Sequence, residues 1–457
     1  MTAISQRIPN FIGGISQQAD EKMLLGQVKD ALNCYPDITL GMLKRPGGKF
    51  LGRLASITAN TANTASWFSI FRDNQEKYIA TVSSAGVIRV WNLLTGLAGS
   101  VTYPAGKQAS IESYLTATDY RSIKTLTIND FTYIVNSEKV VTAKAAPSWN
   151  AKRQATVVVS GVEHNTAYNV VINGTTYTYT SPASGSGNLT IGTVMTGIST
   201  AITGGFATKT IIDNTIYLTF STDTNVSGFA GVTGKDLRVF QDSVDTFARL
   251  PEQAKHNQVV KINNTNASQD DFYLKFIADD GSSGKGYWEE TVAPNVSTGI
   301  NEATMPIALI RTSTSPLTFR ATFLDGSETI NNLPLLWEPR LVGDEESNSH
   351  PTFVNNTIQD VFLFNNRLGF LTEDNVSMSQ AGDYYNFYHK SATTVTVSDP
   401  IDLSCASIKP ATVRSVVPVT QGLLLFSDSQ QFLMEAENGA WTPANCSIST
   451  IATSCTS

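Results

Sequence analysis

Apolar runs joined by short polar turns recur along the chain and predict antiparallel hairpins. The turns are rich in Asn, Asp, Ser and Gly, which favour the tight reversals that hairpins need. Four such hairpins flank a central region of different character: Tyr78–Trp91, Ile123–Val135, Val361–Leu371 and Leu423–Met434. Strand pairs that recur about every 50–60 residues are typical of propeller blades, and a sandwich of unrelated hairpins is the alternative.

The central segment 151–235 contains a hairpin with a stronger signal. Its strands Tyr168–Ile172 and Thr175–Tyr179 flank an Asn-Gly pair. Because both of these residues tolerate positive φ, the pair predicts a two-residue turn. Such a turn pairs Ile172 with Thr175 and Tyr168 with Tyr179. Tyr168, Val170 and Ile172 then share one face with their partners, as a common core requires.

A helix and a further strand follow in the same segment. The helix is predicted by five apolar residues at helical spacing: Ile191, Val194, Met195, Ile198 and Ile202. Gly204 and Gly205 end the helix, and Thr210–Phe220 returns to a strand. The segment contains 18 Thr and only 7 charged residues in 85 positions. We therefore predict an inserted Thr-rich ββαβ-type module with its own core.

Composition and charge exclude or disfavour several classes of protein and of function. Apolar residues make up 41% of the 457 residues and charged residues only 16%, which excludes a disordered protein and a coiled coil. The 54 Thr favour β structure. The net charge of −7 argues against tight, sequence-independent DNA binding, which needs a basic excess. No apolar stretch reaches the ~18 residues that cross a bilayer, so we predict no membrane segment.

The chain lacks the residue patterns of common catalytic sites. No two of its four histidines, His164, His256, His350 and His389, stand at the spacing of a zinc site. Its glycine-rich segments lack the spacing of a phosphate-binding loop. We therefore predict that the protein is not an enzyme and has no catalytic residues, no cofactor and no metal ion.

Two short charged clusters have both a structural and a binding interpretation. The basic cluster between Lys44 and Lys49 fits a surface turn, or a contact with phosphate or an acidic neighbour. The acidic cluster from Asp344 to Glu346 fits a solvated loop, or a contact with a basic partner surface. The sequence leaves both alternatives open.

A series of motifs, in one order along the chain, resembles a family of phage proteins. The motifs are Ile4–Gln18, Leu43–Gly47, Trp288–Thr291 with Ala303–Pro306, Trp337–Asp344 with Pro351–Phe353, Ile358–Phe362 with Asn366–Leu371, Ser398–Asp402 and Leu424–Asp428. Together they resemble podovirus tail tubular protein B, the tail nozzle protein of short-tailed phages. The resemblance covers most of the chain, and 151–235 is its least recognisable part.

The resemblance implies a structural protein of the virion, located at the tail tip. Members of this family form a hexameric ring below an adaptor ring, extend the DNA channel and hold it closed before ejection. The implied partners are therefore further copies in a homohexamer, an adaptor similar to tail tubular protein A, the tail fibre, and viral DNA that passes without tight binding. Family chains continue beyond Gln431–Met434, so we expect this chain to be incomplete.

A different class of function remains as the alternative. β-rich modules with aromatic side chains bind sugars well, and 151–235 fits such a module. A carbohydrate-binding or glycan-degrading tail protein is therefore the second hypothesis. A glycan-degrading enzyme would need a pair of carboxylates across a cleft, and the sequence alone places no such pair.

The patterns and the resemblance together predict a mainly β, multidomain fold. It has a propeller-like β domain built from N-terminal and C-terminal hairpins, with small ββαβ-type and β-rich platform modules inserted. The predicted divisions are an N-terminal extended interface segment at 1–55, the first propeller-like β blades at 56–150, the inserted module at 151–235, the platform-type domain at 236–340, and further propeller-like blades, incomplete at the C-terminus, at 341–457.

The assembly interface is predicted at three places. Adjacent glycines let two backbones approach closely, and Ser and Gln side chains can hydrogen-bond a partner's main chain. Charged side chains could meet a partner of opposite charge. The candidates are Gly13, Gly14, Ser16, Gln17, Gln18, Lys44, Arg45, Lys49, Asp344, Glu345 and Glu346.

Overall fold

The computed structural model describes residues 10–48, 50, 54, 64–231, 234, 236–264, 271–330, 332–405 and 411–452. The chain divides into two compact units, the smaller of residues 1–54 and 94–96 and the larger of the remainder. The described residues form mainly strands, in several separate sheets, with two α-helices. The prediction of a mainly β, multidomain fold is therefore confirmed.

The elements are numbered in chain order. The strands are β1 Cys34–Asp37, β2 Gly41–Lys44, β3 Ser66–Phe71, β4 Lys77–Val82, β5 Ile88–Asn92, β6 Ala98–Thr102, β7 Ile123–Ile128, β8 Phe131–Asn136, β9 Gln154–Val159, β10 Ala167–Ile172, β11 Thr175–Thr180, β12 Thr208–Ile212, β13 Thr215–Thr219, β14 Val226–Ala230, β15 Leu237–Phe240, β16 Ser243–Val244, β17 Gln253–Lys255, β18 Val259–Ile262, β19 Phe272–Ala278, β20 Ser283–Thr291, β21 Ile307–Thr314, β22 Leu317–Thr322, β23 Asp325–Ile330, β24 Leu333–Leu336, β25 Asp360–Phe364, β26 Arg367–Thr372, β27 Asn375–Met378, β28 Ile401–Ser404, β29 Val413–Val419, β30 Gly422–Ser427, β31 Gln431–Ala436 and β32 Cys446–Ala452. The α-helices are α1 Gln108–Leu115 and α2 Ile191–Ala201. Short 3-10 helices lie at Asp20–Lys22, Tyr120–Ser122, Ala151–Arg153, Phe247–Arg249, Glu302–Thr304 and Glu437–Gly439.

The smaller unit has one hairpin and little buried surface. Strands β1 and β2 pair antiparallel, from Cys34 opposite Lys44 to Asp37 opposite Gly41. Asp37 Oδ1 accepts hydrogen bonds from the backbone and hydroxyl of Thr39 and from the Leu40 amide, which closes the turn. Among its described residues, this unit buries no large apolar side chain.

An eight-stranded sheet is the largest in the larger unit. Its order is β3-β4-β5-β6-β22-β21-β8-β7, and β6 and β22 pair in parallel while the other neighbours are antiparallel. The edge strands β3 and β7 approach each other, so the sheet is nearly closed. Helix α1 buries Ile111, Tyr114 and Leu115 in the same core as this sheet.

The inserted module has the predicted hairpin and the predicted helix. Ile172 lies opposite Thr175 and Tyr168 opposite Tyr179, and helix α2 covers Ile191–Ala201. One correction concerns Thr210–Phe220, which is not a single strand. Asp213 and Asn214 form a turn there, with Asp213 at a φ of 49°, so the segment contributes to the two strands β12 and β13.

Two sheets and the helix enclose the core of this module. The sheets have the orders β11-β10-β14 and β12-β13-β9-β15, and α2 contacts both of them. The α2 core residues Val194, Met195 and Ile198 lie among buried residues of both sheets. The module therefore has more strands than the predicted ββαβ arrangement, because β9 precedes the predicted hairpin and further strands follow β12.

A five-stranded sheet follows, in the order β16-β18-β19-β20-β17. Buried polar contacts join it to the module, since Gln258 Nε2 donates to Thr156 Oγ1 at 2.7 Å. Strands β21 and β22 lie within the predicted 236–340 segment, but they pair with β8 and β6 of the eight-stranded sheet. The predicted domain boundaries themselves remain predictions.

The last two sheets are four-stranded antiparallel meanders. Strands β25 to β28 form one sheet and β29 to β32 form the other, each in sequence order. A shared core joins them, in which Phe362, Leu371, Leu425 and Phe432 are buried. A four-stranded meander is the construction of a propeller blade. That the sheets close into a propeller remains a prediction.

Candidate assembly surfaces

The predicted N-terminal motif forms a close backbone contact within its own unit. Gly13 N donates to Gly26 O, and Val28 N donates to Gly14 O, each at 2.9 Å. A Cβ atom on Gly13 would lie 2.8 Å from Gln27 Cγ, and Gly14 has a φ of +74°. These two glycines therefore serve the local fold, because a larger residue would disturb either the contact or the backbone conformation.

The polar residues of the same motif differ in exposure. Ser16 is buried, its amide donates to Val28 O at 2.9 Å, and its hydroxyl accepts from the Gln18 amide at 3.3 Å. Gln17 and Gln18 are exposed, and their side chains remain available to a partner's main chain. The motif thus combines a structural part at Gly13, Gly14 and Ser16 with an exposed part at Gln17 and Gln18.

The basic candidates lie at the end of the β1–β2 hairpin. Lys44 is the last residue of β2, and the Arg45 amide donates to Asn33 O at 2.9 Å. Both side chains are exposed. Lys49 lies outside the described residues.

Exposed apolar side chains are the feature of this unit that the motif analysis missed. Leu25 is 89% exposed and Ile38 is 88% exposed. Others in the unit are Ile12, Ile15, Leu24, Leu32, Tyr35, Leu40 and Phe50. Large apolar side chains in this number, without a core to bury them, are typical of a surface that a partner covers. The sequence signal was the absence of any helical or strand periodicity among them.

The acidic candidates are largely occupied by contacts within the chain. Asp344 Oδ1 accepts from the amides of Glu346 and Ser347, each at 3.0 Å. Burial alone would raise the pKa of Asp344, but these hydrogen bonds outweigh it and hold the pKa below its usual value. Asp344 therefore stabilises its own turn.

Glu345 is the counterion of a buried arginine. Arg340 has a fully buried side chain and donates to Ser297 O, to Asn348 O at 2.8 Å and to Glu345 Oε1 at 2.8 Å. The hydrogen bond from Arg340 lowers the pKa of the Glu345 carboxyl. Of the three acidic candidates, Glu346 alone is exposed without an ion-pair partner among the described residues.

Comparisons with known proteins identify the family. The sequence matches the family model of the bacteriophage nozzle protein over residues 1–454. The chain belongs to the bacteriophage nozzle protein family. Membership in this family makes it a component of a phage virion tail, in agreement with the resemblance of its ordered motifs.

A curated relative supports the assignment of this chain to the nozzle protein family. The chain is 28% identical over 453 residues to tail tubular protein gp12 of Escherichia phage T7, covering 95% of this chain and 54% of that protein. The chain thus spans about half the length of this relative. Neither match gives support to the carbohydrate-binding or glycan-degrading alternative.

A likeness to a solved structure is too weak to inform the fold. The WD40 domain of SCAP from fission yeast aligns with 10% identity and a TM-score of 0.10, covering 84% of this chain and 65% of that chain. Such a TM-score carries no argument.

Among the residues that the structure describes, no group of three or more His, Cys, Asp or Glu side chains has the geometry to hold a metal ion. No helix in the described ranges has both the length and the apolar character to cross a membrane.

Proposed function

We propose that the chain is a structural subunit of the tail nozzle of a short-tailed phage. It assembles as a homohexameric ring below an adaptor ring, extends the DNA channel, holds it closed, and opens it for genome ejection. The observation that carries this proposal is the family match over residues 1–454. The tail fibre is a further proposed neighbour at the tail tip.

Exposed apolar side chains in the smaller unit support a role in assembly. Residues such as Leu25 and Ile38 are almost fully exposed in the single chain. Burial of apolar surface contributes about 25 cal/mol for each Å², so a partner that covers them gains affinity. We therefore assign the contact with a neighbouring subunit or the adaptor to this unit, together with Gln17, Gln18, Lys44 and Arg45.

The charge of the chain supports a channel through which DNA slides. The net charge is −7, whereas proteins that hold DNA tightly neutralise phosphates with Lys and Arg. A non-catalytic role also agrees with the acidic candidates, because Asp344 and Glu345 serve the local structure and not a cleft. We propose that the protein acts by assembly alone, without catalysis.

The test is the assembly state of the purified chain with its adaptor. Light scattering and negative-stain imaging are expected to show six-fold rings with a central hole. A monomer that does not bind the adaptor at any tested concentration would contradict the proposal.

A matched pair of variants tests the role of the smaller unit. Leu25→Asp is expected to prevent ring assembly, because it places a charge in a surface that the partner buries. Leu333→Asp changes a leucine that is 70% exposed in the larger unit and serves as the control. Equal loss of assembly in both variants would contradict the assignment of the contact to the smaller unit.

A further inference from the structure

A concave pocket lies where the inserted module meets the five-stranded sheet. Its volume is about 410 Å³, which is within the range of small-molecule sites. The side chains that matter for its chemistry are Arg238, Phe240, Val244, Asp245, Arg249 and Asn263. We call it the arginine pocket.

The alternation of β15 explains how two of these residues come to face the pocket. Leu237 and Val239 pack into the core of the module. Successive side chains of a strand point to opposite faces, so Arg238 and Phe240 point away from that core. Phe240 packs instead against the core of the five-stranded sheet. The pocket therefore has an apolar wall beside a guanidinium group.

Arg238 is held in place but keeps donors available. Its Nε donates to Ser160 Oγ at 3.3 Å, and its Nη1 donates to Arg249 O at 3.1 Å. Its Nη2 has no hydrogen-bond partner among the described residues. A guanidinium positioned in this way can bind an oxyanion with little loss of side-chain entropy.

The pocket has an excess of positive charge. Arg249 lies 3.0 Å from Asp245, between Nε and Oδ1, but Asp245 Oδ1 accepts no hydrogen bond. Two arginines thus share one carboxylate. Burial and the nearby positive charge of Arg249 both lower the pKa of Arg238. A bound anion would relieve the repulsion between the two guanidinium groups.

We propose that the arginine pocket binds a phosphate monoester of an organic group. The guanidinium groups of Arg238 and Arg249 match the oxygen geometry of phosphate. Phe240 and Val244 supply an apolar surface for the organic group, and Asn263, which also lines the pocket, supplies a side-chain amide. The proposal is independent of ring assembly and adds a ligand site at a junction between two sheets.

The ligand would hold the two sheets in one arrangement. Arg238 lies on β15 of the module, whereas Asn263 follows β18 of the five-stranded sheet. A ligand that contacts both stabilises the folded junction by mass action, since it binds the native state alone. Thermal unfolding therefore provides a second readout besides binding.

The test uses the full chain and isothermal titration calorimetry at constant ionic strength. The probes are adenosine monophosphate, glucose 6-phosphate, inorganic phosphate and adenosine. We expect saturable binding of at least one organic phosphate, with a Kd on the order of 1 mM or lower, and a rise in Tm. Adenosine is expected not to bind, because it lacks the anion.

Three variants connect this binding to the pocket. Arg238→Gln and Arg249→Gln should each weaken binding by about tenfold, the loss expected for a charged hydrogen-bond donor. Asp245→Asn should strengthen binding, because it removes the negative charge that competes with the ligand. Arg153→Gln is the control, since Arg153 pairs with Asp223 outside the pocket and should leave binding unchanged.

Several results would overturn the proposal. One is the absence of saturable binding for both organic phosphates. Another is that inorganic phosphate binds as tightly as either of them, since the apolar wall would then have no role. A third is that Arg153→Gln weakens binding as much as Arg238→Gln. Weaker binding by Asp245→Asn would also contradict it, and this variant retains both arginines.

Discussion

The inserted module buries its apolar side chains in a core, whereas the smaller N-terminal unit exposes its apolar side chains. In the module, the apolar face of α2 and the strands around it form a closed core, with Val194 and Ile198 almost fully buried. In the smaller unit, the described part has exposed leucines and isoleucines such as Leu25 and Ile38 and no apolar core. Both regions contain an antiparallel hairpin, from β1 and β2 in the smaller unit and from β10 and β11 in the module.

The difference separates a region that folds around its own core from a region whose exposed side chains we propose as an assembly surface. The apolar residues of the module recur at regular spacing, because they must all face its own core. The module is also the part of the chain that least resembles the family. The smaller unit contains the first of the family motifs, and its exposed apolar residues such as Leu25 and Ile38 show no helical or strand periodicity. Regular patterns therefore predicted the fold of one region, whereas the motifs of the other region indicated the family, and its role in assembly stays a proposal.

The largest expected effect comes from the core of the module. Ile198→Ala should destabilise the module by about 2–5 kcal/mol, because it removes buried methyl groups and leaves a cavity. Hydrogen exchange of the β9 and β10 amides measures this free energy. Thr200→Ala, on the exposed face of the same helix, is the control and should change it by at most about 0.5 kcal/mol. A loss below 1 kcal/mol for Ile198→Ala would contradict a closed core.

A smaller effect is expected from a glycine of the same helix. A Cβ atom on Gly197 would collide with the ring of Tyr179, whereas a Cβ atom on Gly192 would meet only Thr190 Oγ1, at 3.9 Å. Gly197→Ala should cost about 1–3 kcal/mol through overpacking. Gly192→Ala should instead stabilise the helix, by up to about 1 kcal/mol. Equal Tm values for the two variants would show that Tyr179 moves away freely.

A still smaller effect on stability is expected in the smaller unit. Leu25→Ala should change the free energy of unfolding of the isolated chain by at most about 0.5 kcal/mol, because the side chain is 89% exposed. Urea unfolding of wild type and variant provides the measurement. If the variant lost 2 kcal/mol or more, Leu25 would be covered within the chain and the comparison with the module would fail.

The smallest effect is a pH dependence of the stability of the N-terminal β1–β2 hairpin. The Thr39 hydroxyl, followed by the Leu40 and Thr39 amides, donates to Asp37 and lowers the pKa of its carboxyl. Because the pKa is lower in the folded state, Asp37 stabilises the hairpin above the unfolded value of 3.8. This stabilisation is lost as the pH falls through the folded pKa. Amide exchange of Thr39 and Leu40 should therefore accelerate at low pH.

Asp37→Asn provides the control for this dependence. The asparagine retains an acceptor but does not titrate, so its exchange rates should show no corresponding acid transition after correction for the intrinsic pH dependence of exchange. The same transition in wild type and variant would assign the effect to another group.

The sequence alone was sufficient to predict an element when the residues that determine its structure all lie within one short segment. The Asn173-Gly174 turn and the alternation around it predict the observed register of β10 and β11. The spacing of Val194, Met195 and Ile198 predicts helix α2. The turn at Asp213-Asn214 was also visible in the sequence, but the apolar run around it suggested one continuous strand.

The structure divides the candidate assembly residues by exposure, and their role in assembly stays a prediction. The motif analysis found Gln17, Gln18, Lys44 and Arg45, which are exposed. It did not separate them from Gly13, Gly14 and Ser16, which serve the local fold, or from Glu345, which pairs with Arg340. The local sequence shows that a residue has the chemistry to contact a partner. Whether its side chain is free to do so depends on the contacts that it makes within the folded chain.

The sequence by itself determined the β-rich character, the local hairpins, the helix of the module and the family. Only the tertiary structure decided that β6 pairs in parallel with β22, across the whole inserted region. It also decided that Arg367 is buried and donates to the carbonyls of Ser379, Asp399 and Trp441. Hairpins and helices depend on neighbours along the chain, whereas these contacts depend on segments that meet only when the packed cores bring them together.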